Sequence, residues 1–207
     1  MNTLELFAGT GSFSKVANAR GHNTFRIEIN PEFPAEMHKD VMALTDKDLP
    51  KTLDVLWASP PCTSFSVASI GKNWTTDKYP KNSRAALGMA QVLRTLEIIE
   101  KIKPKYWFLE NPRGMLRTLP FMKPYIRKTV SYCQYGDNRM KPTDIWTNMG
   151  FSWNPKPMCK PGSSCHIAAP RGSKTGTQGL ANAKERAVIP PGLFHEIFDC
   201  IKRENNG

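Results

Sequence analysis

Between residues 83 and 103 the apolar side chains Ala85, Met89, Val92, Leu96, Ile99 and Ile102 follow one another in steps of three and four, with Arg94, Glu97 and Lys101 on the other positions. That spacing predicts an amphipathic helix, ended by Pro104. On either side the pattern changes to short apolar runs without polar alternation, 53–58 and 106–109, as expected of strands buried on both faces. The first of these empties into Ser59-Pro60-Pro61-Cys62 and the second into Glu110-Asn111-Pro112. Upstream, 2–7 reads as a strand running into the glycine turn Ala8-Gly9-Thr10-Gly11, followed by a helix over 12–20 that stops at Gly21. A second strand over 23–29 carries Glu28 near its end, and Pro31 is expected to open a short helical segment leading to Asp40-Val41. Strands are also predicted over 128–135 and 143–147, and a final helix over 189–203 starting at Pro190-Pro191.

Strands alternating with helices, with polar residues at the strand ends, predict an open parallel α/β sheet with helices on both faces and ligands at the carboxyl edge. With 207 residues the chain has room for one main core and a small appendage. The expected division is 1–150 as the cofactor-binding and catalytic body, 151–186 as a loop-rich segment of Pro, Gly, Ser and Lys, and 187–207 as a helix returning to the body. No internal repeat is visible.

Charge sharpens the picture. Residues 1–100 carry 11 basic and 11 acidic side chains, whereas 101–207 carry 18 basic and 7 acidic, so the net charge of +11 resides in the second half. A one-sided excess of this kind fits a surface for a polyanion such as nucleic acid. No apolar stretch approaches the length of a membrane span, and the start of the chain reads as a strand rather than a signal peptide. Five scattered cysteines suit free thiols in a reducing cytoplasm, which leaves one available for chemistry.

The glycine turn offers close backbone approach and helix-end amides to a ligand carboxylate. Glu28 stands where an α/β nucleotide site commonly holds ribose hydroxyls, and Asp40 could do the same for an adenine amine, although each read singly is equally an ordinary surface acid. The most informative pair is Cys62 and Glu110, each just past a predicted buried strand. A thiolate can add to carbon 6 of cytosine, which carbon 5 requires before it accepts a methyl group, and a carboxyl group near ring nitrogen 3 can stabilise the charge that develops.

At these residues the sequence resembles the DNA cytosine carbon-5 methyltransferases. Leu6-Phe7-Ala8-Gly9-Thr10-Gly11 is similar to their first motif, Pro61-Cys62 with Phe65-Ser66 to their catalytic loop, and Glu110-Asn111 to their glutamate motif. The resemblance implies a Rossmann-like fold that uses S-adenosylmethionine, with Cys62 as nucleophile and Glu110 as its acid partner. It implies a cofactor site made of Phe7, Ala8, Gly9, Gly11, Ser12, Glu28, Ile29, Asp40, Val41 and Pro61, with Phe7 and Ile29 flanking the adenine. Ala187-Val188-Ile189-Pro190-Pro191 resembles the last motif, which returns to that site. Residues 136–141 resemble a degraded Gln-Arg-Arg segment, making Arg139 and Lys141 the candidates for gripping the target strand near the catalytic centre.

Three positions depart from the family pattern: Thr63 replaces Gln, Pro112 replaces Val, and Lys141 replaces a second Arg, whose planar fork lysine cannot reproduce. The large target recognition domain is missing, with only 151–186 in its place. DNA is therefore expected to be held mainly by Ser66, Lys72, Lys78, Arg113, Lys156, Lys160, Arg171 and Lys174, giving a short target. Residues 63–82, with Lys72, Trp74, Lys78 and Tyr79, resemble a mobile loop that closes over a flipped base, while their composition alone fits a disordered connector nearly as well.

Other readings compete. An amino methyltransferase would keep Ser59-Pro60-Pro61 but place an aromatic at position 62. An RNA cytosine methyltransferase would keep every residue named. A DNA-binding regulator with a vestigial cofactor fold would have lost Cys62 or Glu110. Cys159, Cys165 and His166 suggest zinc, but they are three ligands, and a fourth from Cys133, His195 or Cys200 would have to come from folding. From these residues alone no metal is expected.

Overall fold

The computed structural model describes residues 1–168, 180 and 182–206. Its elements are β1 (Asn2–Leu6), α1 (Ser12–Ala19), β2 (Asn23–Ile27), β3 (Val55–Ala58), α2 (Ile70–Asn73), α3 (Ser83–Ile102), β4 (Tyr106–Pro112), β5 (Arg127–Ser131), β6 (Pro142–Thr147), α4 (Ala183–Ala187) and α5 (Pro191–Asn206), joined by short 3-10 turns. The strands form one sheet in the order β2-β1-β3-β4-β6-β5. The first four are mutually parallel, but β6 is antiparallel to both neighbours, so the sheet is mixed rather than wholly parallel. The connection explains the reversal: only 132–141 separate β5 from β6, and a parallel return needs a crossover of a dozen or more residues.

Side-chain alternation splits the sheet into two apolar layers. Leu4, Leu6, Leu56, Ala58 and Leu109 face α3, where Ala85, Val92, Leu96 and Ile99 receive them. Val55, Trp57, Phe108, Val130 and Ile145 face α1 and α5, meeting Phe13, Phe194, Ile197 and Phe198. In this second layer Trp57 stacks on Phe13 at 5.8 Å and on Phe108 at 5.8 Å, with Phe194 edge-on at 4.8 Å. Helix α5 thus contributes as much to the core as α1, and the C-terminal helix predicted from 189 is an integral layer of the fold.

Two local expectations are corrected. Residues 31–40 form turns instead of a helical segment, with Met37 bridging Ile27 and the Arg26 guanidinium paired with Glu36 at 2.7 Å. Pro34 accounts for this, because it disfavours helical backbone at Phe33. The predicted strand 128–135 ends at Ser131, and Tyr132–Tyr135 forms a 3-10 turn closed by Gly136 at φ 93°. Residues 151–168 contain no helix or strand. Among the described residues no helix is long and apolar enough to cross a membrane.

Glu5 is a buried acid that the sequence pattern did not single out. It lies within β1, and its carboxylate accepts the Phe13 N–H at 3.3 Å and the Ser14 N–H at 3.0 Å. It therefore satisfies two amides of α1 that were expected to face a ligand. Burial raises its pKa from 4.5 to about 7, against the opposing hydrogen bonds and the nearby Arg26 charge. Because the folded pKa lies above the unfolded one, the folded state binds the extra proton, and the Glu5 contribution to stability is present below about pH 4.5 and lost as pH rises through about 7. That shift corresponds to a loss on the order of 3 kcal/mol. Urea melts at about pH 5 and about pH 8 should show this decline in the wild type and a flatter dependence in Glu5→Gln; equal slopes would show that Glu5 is not the titrating group.

Candidate active site

The turn after β1 is built from residues in the left-handed region, Phe7 at φ 56°, Gly9 at 48° and Gly11 at 66°. Glycine adopts this backbone freely; Phe7 does so only because the surrounding structure holds it. Glu28, just past β2, braces the turn: one carboxylate oxygen accepts the Gly9 N–H at 2.8 Å and the other the Asn30 N–H at 2.9 Å. Next to the turn opens a cleft of about 200 Å³ lined by Phe7, Glu28, Ile29, Asp40, Val41 and Pro61 from the expected cofactor set. Leu6, Ile27, Lys39, Ser59 and Gln91 complete it. Ala8, Gly9, Gly11 and Ser12 stand beside this lining as its supporting turn. Asp40 accepts the Met42 N–H at 3.0 Å and so caps the 3-10 turn Val41–Ala43. Ser12 Oγ accepts the Ile189 N–H at 3.2 Å, which brings the 187–191 segment back to the turn.

The donor set suits an adenosyl group. Apolar Phe7 and Ile29 offer faces to a purine, Glu28 and Asp40 offer acceptors to hydroxyls and an amine, and the cleft opens beside Pro61 and Ser59 of the Cys62 loop.

Strand register then sets the reactive pair. β3 and β4 are neighbours with Ala58 opposite Leu109, so the chain leaving β3 passes Glu110. Glu110 lies not at a strand tip but inside β4, opposite Ile145 of β6, and is therefore buried. Tyr132 donates its hydroxyl proton to Glu110 Oε1 at 3.0 Å. Asn111 Nδ2 donates to Pro60 O at 2.9 Å, tying β4 to the Cys62 loop. Two glycines let this loop pack closely. A β-carbon at Gly88 would lie 2.3 Å from Ser64 Oγ, and one at Gly114 would lie 2.2 Å from the Phe65 carbonyl oxygen.

Electrostatics distinguish the two groups. Burial pushes the Glu110 carboxyl up from its ordinary range, opposed chiefly by Lys141 and by the Tyr132 hydrogen bond. Cys62 is open to solvent as a residue, yet the protein crowded around its sulfur raises the thiol pKa, with Lys141 pulling it down and Glu110 pushing it further up. Lys141 is therefore the charge shared by both, and its Nζ also donates to Arg186 O at 3.2 Å.

Arg139, expected to reach the target strand, points inward. Its guanidinium pairs with Asp137 and donates to the carbonyls of Glu185 at 3.2 Å, Arg186 at 3.3 Å and Val188 at 2.9 Å. It clamps the chain returning to α5. Residues 63–82 are also more anchored than a mobile loop implies: Trp74 is buried, stacks on Phe65 at 5.7 Å and donates from Nε1 to Ser64 O at 2.7 Å. The segment is pinned at Trp74 and exposes Lys72 and Tyr79 beyond it.

The other nucleic-acid candidates scatter. Ser66 Oγ meets Ser69 Oγ at 2.9 Å, and Lys78 Nζ donates to Thr118 O at 3.2 Å. Arg113 and Lys160 are exposed, and Lys156 lies over the Tyr135 ring at 5.1 Å. Arg171 and Lys174 fall outside the described residues. Ser59 opens the Ser59-Pro60-Pro61-Cys62 motif but was not expected to line the cleft, and nothing in the local pattern at Tyr132 or Gln91 signals a part in the site.

Residues 1–119 match the family model for C-5 cytosine-specific DNA methylases. A probable DNA (cytosine-5)-methyltransferase of Frog virus 3 is 31% identical over 220 residues, covering 96% of this chain and 99% of the viral one. The type II methyltransferase M.CviJI of Paramecium bursaria Chlorella virus IL3A is also 31% identical, but over 56% of this chain and 31% of its own length. Among solved structures, DNMT2 of Spodoptera frugiperda aligns at 18% identity with a TM-score of 0.48, over 75% of this chain and 53% of that one. The match to the family model spans the glycine turn, the Cys62 loop and Glu110, and with the near full-length viral relative it shows that this chain belongs to the C-5 cytosine-specific DNA methylase family.

Proposed function

We propose that the enzyme transfers a methyl group from S-adenosylmethionine to carbon 5 of cytosine in DNA, with Cys62 as the covalent nucleophile. The observation that carries this reading is the placement of the Cys62 loop against the buried, readily protonated Glu110 across the β3–β4 register. When bound in the cleft beside Pro61, S-adenosylmethionine supplies the methyl group. The chain supplies the rest. The Cys62 thiolate adds to carbon 6, and Glu110 in its acid form donates a hydrogen bond or proton to ring nitrogen 3, so that the charge pushed into the ring is neutralised as carbon 5 becomes nucleophilic. Lys141 favours the thiolate at the start of the cycle. Loss of the carbon-5 proton to solvent water then expels the sulfur as the Cys62 thiolate, and ring nitrogen 3 returns any proton it took to Glu110 as aromaticity is restored.

The main body over 1–150 would do the chemistry, and the short segment over 151–186 would take the place of a recognition domain. With few side chains available to reach base edges, the target should be short and binding dominated by salt-sensitive phosphate contacts in the basic second half of the chain. Five free cysteines are best preserved in a reducing compartment, consistent with a cytoplasmic enzyme. Methyl transfer from labelled S-adenosylmethionine should be compared on duplex DNA, single-stranded DNA and tRNA, followed by bisulfite sequencing of the modified duplex. Preferential labelling of DNA at cytosines sharing one or two neighbouring bases is expected. Preference for tRNA would overturn the substrate, and modification confined to an extended site would overturn the short target.

A further inference from the structure

Cys133, Cys159, Cys165 and His166 converge on one point, although 33 positions of sequence separate the first from the last. Their ligand atoms all lie within 4.8 Å of one another. The sulfur of Cys133 is 3.1 Å from that of Cys159 and 3.6 Å from that of Cys165, and His166 Nδ1 is 3.7 Å from Cys159 Sγ and 3.5 Å from Cys165 Sγ. Zinc bonds of roughly 2.3 Å to sulfur and 2.0 Å to nitrogen give tetrahedral edges of about 3.8 Å between sulfurs and about 3.5 Å from sulfur to nitrogen. The cluster therefore has the size and ligand set of a closed tetrahedral centre. The fold also decides which residue completes the trio of 159, 165 and 166. His195 instead faces Arg20 at 3.3 Å, and Cys200 is buried in the α5 layer beside Arg203, leaving Cys133, which the 3-10 turn after β5 presents.

We propose that these four residues bind a structural zinc ion. Two polar neighbours already surround the sulfurs as a metal-thiolate centre requires: Ser131 Oγ lies 3.3 Å from Cys133 Sγ and 3.4 Å from Cys159 Sγ, and Gln134 Nε2 donates to Cys165 Sγ at 3.5 Å. The surrounding segment has a physical need for such an anchor. Residues 154–168 form no helix or strand, and Ile167 remains 69% exposed, so this stretch has little apolar burial of its own to hold it. Among the described residues its other ties to the body include the Lys156 N–H to Tyr135 Oη at 2.9 Å and the Ile167 N–H to Asn138 O at 2.8 Å. A metal can supply folding free energy where a hydrophobic core cannot. Cys133 follows directly on Tyr132, the hydroxyl donor to Glu110, so the ion would fasten the segment carrying Lys156 and Lys160 to the back of the catalytic centre.

Metal analysis of reduced protein purified without chelator tests this independently of methyl transfer. About one zinc per chain is expected, retained in Cys62→Ser and Cys200→Ser and falling to background in Cys159→Ser and Cys165→Ser. Should those last two variants misfold, cobalt exchanged into the wild type decides the question: intense visible bands of tetrahedral cobalt with thiolate charge transfer are expected, and His166→Cys should retain one metal with a shifted spectrum. Wild-type protein that arrives without zinc and, after reduction, takes up neither zinc nor cobalt would overturn the proposal. So would a native chain two hydrogen atoms lighter than its reduced form with a Cys133–Cys159 linkage, which would make the pair a disulfide instead of a metal centre.

Discussion

Cys62→Ser is expected to lower methyl transfer by at least about three orders of magnitude while leaving S-adenosylmethionine affinity unchanged. The two effects separate because Pro61 lines the cofactor cleft and Cys62 does not. A serine hydroxyl ionises far less readily than even a thiol whose pKa burial has raised, so addition to carbon 6 stops. Raising the pH increases the thiolate fraction of Cys62, and with it the rate of adduct formation in the wild type. DNA carrying 5-fluorocytosine isolates the step. Once carbon 5 bears both fluorine and methyl it has no proton to lose, the sulfur cannot depart, and a complex that survives denaturing electrophoresis should accumulate. It should require S-adenosylmethionine and be absent with Cys62→Ser. Normal turnover on ordinary DNA without any trapped complex would exclude the covalent route.

Glu110→Gln should cost roughly two to four orders of magnitude in kcat, the usual span for loss of a positioned acid, with little change in DNA binding. The pH dependence is the sharper readout. Burial raises the Glu110 pKa, so its acid form persists above the ordinary carboxyl range and is lost as pH rises through the raised value. Wild-type kcat/KM should therefore combine a rising contribution from Cys62 ionisation with a falling one from Glu110 deprotonation. Glutamine holds a hydrogen-bond donor at every pH, so the falling limb should disappear while the rising limb remains. A variant that keeps both limbs would assign the falling one to a group other than Glu110.

Much of this protein was determined by local sequence pattern. Steps of three and four fixed α3 almost to the residue, and the apolar runs before Cys62 and Glu110 located β3 and the first four residues of β4, because burial on one face or on two leaves a periodicity that short-range sequence records. The glycine turn, the acid at 28 and the motifs around Cys62 and Glu110 were legible for the same reason: each is chemistry carried by adjacent residues, although Glu110 proved to lie inside β4. Family membership followed from them.

What tertiary structure alone decided involves partners distant in sequence. The reversal of β6 buries Glu110 inside a strand, and through that burial sets its protonation, a consequence invisible in Glu110-Asn111-Pro112 itself. Tyr132 reaches Glu110 across 22 positions, Arg139 turns inward because the carbonyls of 185–188 are waiting for it, and Glu5 claims helix amides that a ligand was expected to use. Cys133 meets Cys159, Cys165 and His166 only because the hairpin turn after β5 lies under the 154–168 segment. Sequence fixes which side chains are available; desolvation and pairing, which set their charge and reach, depend on what the folded chain places around them.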